Sequence, residues 1–248
     1  MIFHVMTLFP ELIETCAGSS ILGRARERSL VEVRPVNIRD YSKDKHKHVD
    51  DYPYGGGAGM LMKAEPVYDC WRAITDPMEK KPRVLYMTPQ GKRFDQEDAK
   101  RYAREEELII LCGHYEGIDE RVLQMIVTDE VSIGDFVVTG GELPAMLLID
   151  AVSRMIPGVL SEHSAEEESF YSHLLEYPQY TRPEEFMGLR VPEVLLSGHH
   201  KNVEIWRRQE SLKRTYLRRP ELLRNADLQK EDRRFLRSLE EQNNDRKE

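Results

Sequence analysis

Residues 108–145 read LIILCGHYEGIDERVLQMIVTDEVSIGDFVVTGGELPA. The run opening this stretch, Leu108 to Cys112, is continuously apolar and ends on Gly113. Apolar and rich in β-branched residues, it reads as a strand. EVSIGD (130–135) is a second such run, and it too passes into glycine, at Gly134, Gly140 and Gly141. ELPAMLLIDAVSRM (142–155) then switches to helical spacing, with Leu143, Met146, Leu147, Asp150 and Arg154 recurring as one apolar face that ends in charge. Working outward, IFHVMTLF (2–9), VEVRPVNI (31–38) and RVLYMT (83–88) are further strand-like runs, and DQEDAKRYAREEE (95–107) is helix-like. Strands alternating with helices predict an α/β fold with a parallel sheet.

Composition narrows the class. The 248 residues suffice for one large domain or two ordinary ones, and 40% hydrophobic against 32% charged residues excludes an intrinsically disordered chain. No charge-free apolar run approaches the roughly 18 residues of a spanning helix. MIFHVMTLFPELIE has no basic leader and meets a proline and an acid too early for a signal peptide. Cys16, Cys70 and Cys112 lie far apart with no CxxC pair, so neither a disulfide framework nor a structural zinc site is expected, and a reducing cytoplasm is.

The net charge of −8 is unevenly placed. From residue 176 onward 16 basic residues face 14 acidic ones, against 20 and 30 in the rest of the chain. Residues 201–219 hold seven basic side chains (Lys201, Arg207, Arg208, Lys213, Arg214, Arg218, Arg219) and two acids. On a helix Arg214 and Arg218 fall within about 20° of Arg207. Such a patch suits selective polyanion binding, although a merely solvated face has the same composition. Residues 156–176 break the periodicity with Pro157-Gly158 and a run of acids through Glu168. The expected organisation is an α/β domain over 1–160, a mobile linker over 161–176 and a helical domain over 177–248.

Three glycine-rich loops are read as following the expected strands: YPYGGGAGM (52–60), CGHYEGIDER (112–121) and SIGDFVVTGGELPA (132–145). Glycines let backbone approach a ligand and offer it N–H groups, and α/β sheets bind ligands at the carboxyl ends of their strands. No G-x-G-x-x-G follows a strand, and no GxxxxGK[ST], HExxH or G-x-S-x-G occurs. A conventional dinucleotide site, a P-loop, a zincin and a serine hydrolase are thereby excluded.

The motifs YGGGAGM, YMTPQGK, CGHYEGIDER, SIGDFVVTGGELPA, RMIPGVL, YTRPEEF and VPEVLLSGHH, collinear over nearly the whole chain, resemble the bacterial tRNA (guanine-N1)-methyltransferase family. The resemblance implies a SPOUT fold with a deep trefoil knot, a homodimer with its active sites at the subunit interface, and methylation of the guanosine at position 37 beside the anticodon. It assigns S-adenosylmethionine to Tyr86, Met87, Thr88, Pro89, Gln90 and Gly91, to the run from Gly113 through Tyr115 to Glu116, to Ile133, Gly134, Asp135, Phe136, Val137 and Val138, and to Gly140, Gly141 and Pro144. On the substrate side it places Asp50 and the loop from Gly55 to Gly59. The basic helix with Lys201, Arg207, Arg208, Arg214 and Arg218 would grip the anticodon stem. It also implies a divalent ion, generally magnesium, for which the sequence locates no site.

The chemistry constrains the rest. Guanine N1 carries a proton in the neutral base and attacks the sulfonium methyl only as that proton leaves, so a carboxylate must accept it and a cation near O6 stabilise the developing charge. By resemblance the cation is Arg154. The family's base is an aspartate immediately before Ser-Phe, and here Glu168 takes that place, a departure that sets the same group one methylene further out. Rival readings are a related knotted enzyme acting on another RNA nucleotide and an RNA-binding protein that has lost its base. Glu168→Gln is expected to abolish methyl transfer while leaving donor binding largely intact; unchanged turnover in that variant would remove Glu168 from the mechanism.

Overall fold

The computed structural model describes residues 1–161, 169–170 and 172–244, and the chain divides into two units, Met1–Glu162 and His163–Glu248. The first unit runs β1 (Ile2–Thr7), α1 (Pro10–Ala17), α2 (Ser20–Glu27), β2 (Glu32–Asn37), β3 (Asp50–Asp51), β4 (Leu61–Met62), α3 (Ala64–Thr75), β5 (Arg83–Arg93), α4 (Gln96–Tyr102), β6 (Glu107–Cys112), α5 (Glu120–Ile126), β7 (Asp129–Ser132) and α6 (Glu142–Ser153). The five long strands form one parallel sheet in the order β2-β1-β6-β5-β7. All five come from the runs expected of strands. The short antiparallel pair β3–β4 was not legible in the sequence.

The continuous apolar character of β6 follows from its central place. Leu108, Ile110 and Cys112 point into one core with Phe3, Val5, Leu85 and Met87, closed by α1, α2, α4 and α6. Ile109 and Leu111 point into the opposite core with Met6, Val84 and Tyr86, closed by α3 and α5. Period-two alternation along a strand serves two cores at once when helices cover both faces. Asp95 and Asp119 start α4 and α5 by accepting the N–H groups of Asp98 (3.0 Å) and Arg121 (3.0 Å).

α6 corrects the reading of its own pattern. Pro144, Ala145, Leu148, Ile149 and Val152 are its buried side. Leu143 and Leu147, on the face singled out as apolar, are 54% and 58% exposed. Both sides of this helix are rich in apolar residues, so periodicity alone identified an apolar face without saying which one the core takes.

In the second unit, an antiparallel pair, β8 (Glu185–Phe186) and β9 (Leu189–Arg190), precedes α7 (Glu193–Leu196), α8 (His200–Arg218) and α9 (Lys230–Asn244). The expectation of helix alone over this region missed the hairpin. Leu174, Leu212 and Leu236 make the buried centre of the unit. The Leu175 N–H donates to the buried Thr215 hydroxyl at 2.8 Å, which itself donates to the Ser211 carbonyl. Leu174 and Leu175 belong to the stretch 161–176 read as linker. With so few buried apolar side chains, each matters: Leu212→Ala is expected to cost this unit about 2–5 kcal/mol, read as a shift of its urea unfolding midpoint. A shift equivalent to less than about 1 kcal/mol would show that the unit is held by other contacts.

Candidate functional site

The ladder between β5 and β7 contains an excursion. Met87 pairs with Val131, and so does Lys92; residues 88–91 are looped out between them. The loop needs backbone to lie on backbone where it returns. A Cβ on Gly91 would sit 2.3 Å from the Glu130 carbonyl carbon and 2.4 Å from the Val131 nitrogen. Within the loop the Gln90 N–H donates to the Thr88 hydroxyl at 3.3 Å. Lys92, at the return, reaches both carboxylate oxygens of buried Asp98 at 2.9 Å, which fastens the loop's far end to α4.

A second wall leaves the end of β6. The Gly141 N–H donates to the Gly113 carbonyl at 2.9 Å, and a Cβ on Gly141 would meet the Cys112 Cα at 2.6 Å. The third wall follows β7, where the Ser132 hydroxyl accepts from the Gly134 N–H and donates to its carbonyl. Glycine at 134 takes φ +148°, a conformation that a side chain resists.

Between these walls lies a cavity of about 280 Å³ at the carboxyl ends of β5, β6 and β7. Of the nineteen positions assigned to the methyl donor by resemblance, seventeen line it; Gly91 and Asp135 do not. Gly91 acts from behind, through the close approach just described. Phe136, Val137 and Val138, which composition alone would place in a core, are 56%, 84% and 37% exposed. Gly117, Val131, Ser132 and Thr139 line the cavity as well and were not foreseen. Gly117 closes the CGHYEG loop and could have been read from it; the others carry no chemical signature.

Tyr86, in the cavity wall, and Cys112, buried behind it, are held in their neutral forms. Burial, with the Glu130 and Glu120 charges adding to it, pushes the Tyr86 phenol above its ordinary value. Burial, reinforced by the Glu142 carboxylate, pushes the Cys112 thiol well up. The site therefore holds no thiolate nucleophile and offers backbone amides, carbonyls and apolar side chains, a surface suited to an organic ligand.

The loop with Asp50, Gly55 and Gly59 is stitched to the same cavity. Asp50 pairs with Met62, whose N–H donates to the Gly117 carbonyl at 3.0 Å, and the Glu116 N–H donates to the Met60 carbonyl at 3.0 Å. A Cβ on Gly59, already at φ +87°, would fall 2.5 Å from the Glu116 side chain. Gly55 stands in open space beside Tyr54, which is fully exposed.

Arg154 caps the C-terminus of α6, where its N–H donates to the Asp150 carbonyl. Glu168 lies outside the described residues. In the second unit, Lys201 and Arg218 are exposed on α8. Arg208, read as a phosphate contact, turns instead toward α9. Its guanidinium holds Asp232 at 2.7 Å and the Asp227 carbonyl at 2.9 Å. Burial works against the Asp232 charge, but Arg208 and the Gln229 N–H outweigh it and hold the carboxyl below its ordinary value. Arg207 covers the Tyr177 ring at 4.8 Å, and Arg214 reaches the Glu176 carbonyl at 3.4 Å. The basic line thus also braces its own unit. Among the described residues no three His, Cys, Asp or Glu side chains converge on a metal position, and no helix is long and apolar enough to cross a membrane.

A family model described as tRNA (Guanine-1)-methyltransferase TrmD matches residues 1–225. The chain is 63% identical over 223 residues to a tRNA (guanine-N(1)-)-methyltransferase of Ruminiclostridium cellulolyticum, covering 90% of this chain and 96% of the relative. It is 61% identical over 223 residues to the protein of that name from Lachnospira eligens, covering 90% and 94%. Against the one from Caldicellulosiruptor saccharolyticus it is 56% identical over 236 residues, covering 95% and 96%. Gly91→Ala is expected to weaken S-adenosylmethionine binding by about tenfold or more by forcing the β5 loop off β7, measured by titration calorimetry. An unchanged dissociation constant would separate the 88–91 loop from the binding site.

Proposed function

The chain belongs to the tRNA (Guanine-1)-methyltransferase family, and we propose that its target is the guanosine at position 37 of tRNA. The observation that carries this reading is the cavity at the ends of β5, β6 and β7, to which the substrate-side loop of Asp50 and Gly59 is hydrogen-bonded. The methyl donor of the family, S-adenosylmethionine, suits what lines it. Backbone groups of 88–90, 113–117 and 133–141 can read the adenine edge, and Ile133, Phe136 and Val138 can enclose its faces. When bound, the donor supplies an electrophilic methyl on sulfonium sulfur.

The remaining chemistry falls to the chain. The Glu168 carboxylate would take the N1–H proton, and the freed N1 lone pair would attack the methyl that the donor supplies, the electrons of the broken C–S bond staying on the donor's sulfur. Arg154 stabilises negative charge developing at O6. The nucleotide must leave its stack for N1 to be reached, and the acidic segment up to Glu168 closes over it and shields the reaction from water. Lys201, Arg207, Arg214 and Arg218 hold anticodon-stem phosphates, with Arg208 contributing through its brace on α9. The divalent ion that this reading implies, magnesium, is given no His, Cys, Asp or Glu cluster among the described residues, and the enzyme works in the cytoplasm.

We take the functional form to be a homodimer. Phe136, Val137, Leu143 and Leu147 are large apolar side chains exposed beside the cavity on one unit, more than a solitary surface helix carries. A partner covering them would complete the site. The trefoil knot belongs to the same reading, and the close backbone approaches at Gly91 and Gly141, which leave no room for a Cβ, support it.

The decisive experiment is methyl transfer from labelled S-adenosylmethionine to an unmodified tRNA transcript, beside one whose position-37 guanosine is replaced by adenosine. Incorporation into the first alone is expected. Equal incorporation into both would overturn the assigned position, and none into either would overturn the substrate.

A further inference from the structure

Behind the cavity lies a carboxylate that the reading above does not use. Glu142, the first residue of α6, is 3% exposed. Its Oε1 accepts the Thr7 hydroxyl at 2.7 Å and its Oε2 faces His114 Nε2 at 3.1 Å. A buried carboxylate without partners is costly, and here two side chains and the amide end of α6 satisfy it.

The two side chains come from separate parts of the sheet. Thr7 ends β1, and its hydroxyl also accepts the Phe9 N–H at 2.9 Å. The Phe9 ring lies 4.9 Å from that of His114, so the imidazole is held on a face as well as at its edge. His114 sits in the cavity wall that follows β6. Tyr115, next to it, takes φ +59°, a left-handed conformation that a tyrosine adopts only where its surroundings impose it. On the other side, a Cβ on Gly140 would fall 2.3 Å from His114 Nε2 and 2.7 Å from Glu142 Oε2. The opposite wall is therefore fitted around the same pair.

We propose that Glu142 is a positioning residue for the methyl donor: its carboxylate, shared between Thr7 and His114, sets the separation of the cavity walls 113–117 and 133–141. The proposal rests on the reading that this cavity takes S-adenosylmethionine. A carboxylate that only supported the fold would change stability; one that sets the walls changes donor affinity in a protein that remains folded.

The test measures the S-adenosylmethionine dissociation constant by calorimetry, donor KM and kcat on tRNA, and the unfolding temperature, for the wild type, Glu142→Ala, Glu142→Gln and Thr7→Val. Glu142→Ala is expected to raise the donor Kd and KM about tenfold or more, with kcat at saturating donor falling much less. Glu142→Gln still accepts the Thr7 hydroxyl and meets His114, so it recovers most of the affinity. Thr7→Val removes one hydroxyl at nearly constant volume and weakens the donor in the same direction. A folded Glu142→Ala protein with wild-type Kd, or a Gln variant as weak as the Ala one, would overturn the proposal. If Glu142→Ala does not fold, Thr7→Val decides alone, and wild-type affinity there would overturn it. Failure of the wild type itself to bind S-adenosylmethionine would instead overturn the assignment of the cavity, and this inference with it.

Discussion

Backbone packed directly on backbone at the ends of the central strands is the constraint on which the rest of the molecule depends. Gly91 lies against Glu130 and Val131, and Gly141 against Cys112 and Gly113, at separations that leave no room for even a methyl group. Protein interiors are close-packed, and an added methylene is felt. Here the tolerance is narrower still, because main chain cannot step aside as a side chain can. Once these approaches are made, the loops after β5, β6 and β7 converge, and the cavity is what remains between them.

The two units are stabilised in different ways. In the first, β6 serves two apolar cores, and its strands are covered on both faces. Among its described residues the second centres on three buried leucines, joined by polar ties: the Thr215 hydroxyl, the Arg208–Asp232 pair and the cover of Arg207 over Tyr177. Such ties contribute modestly in net free energy, because they replace hydrogen bonds to water. Using arginines both as braces and as the grip proposed for RNA means that the grip is pre-positioned, which lowers the entropy lost on binding.

Much of the first unit was legible because its strands are short runs rich in apolar and β-branched residues, two of which, β6 and β7, pass into glycine. The register skip at Val131 was not: nothing in YMTPQGKR says that 88–91 leave the ladder. The hidden side of α6 was not legible either, since Leu143 and Leu148 look alike until one of them is covered. Most of the cavity lining came from motif resemblance, and Phe136 to Val138 would have passed for core on composition. Thr7 and Glu142 were out of reach altogether, because a contact across 135 residues leaves no local trace. The basic face of α8 was legible as charge, but its division between Asp232 and solvent depends on where α9 packs.

The strand order also has a consequence for synthesis. β1 finds its first neighbour, β2, after 30 residues, at the pairing of Ile2 with Glu32, but its other edge pairs with β6 only at Glu107. At ribosomal rates of about 5–20 residues per second, that edge stays open for several seconds while the intervening chain is made. An unpaired, largely apolar strand edge is a template for association between nascent chains. The join at the sheet's centre thus waits for β6, with only the edge strand β7 still to be added, and the fold's most protected strand in the finished protein fills the gap left open longest beside β1.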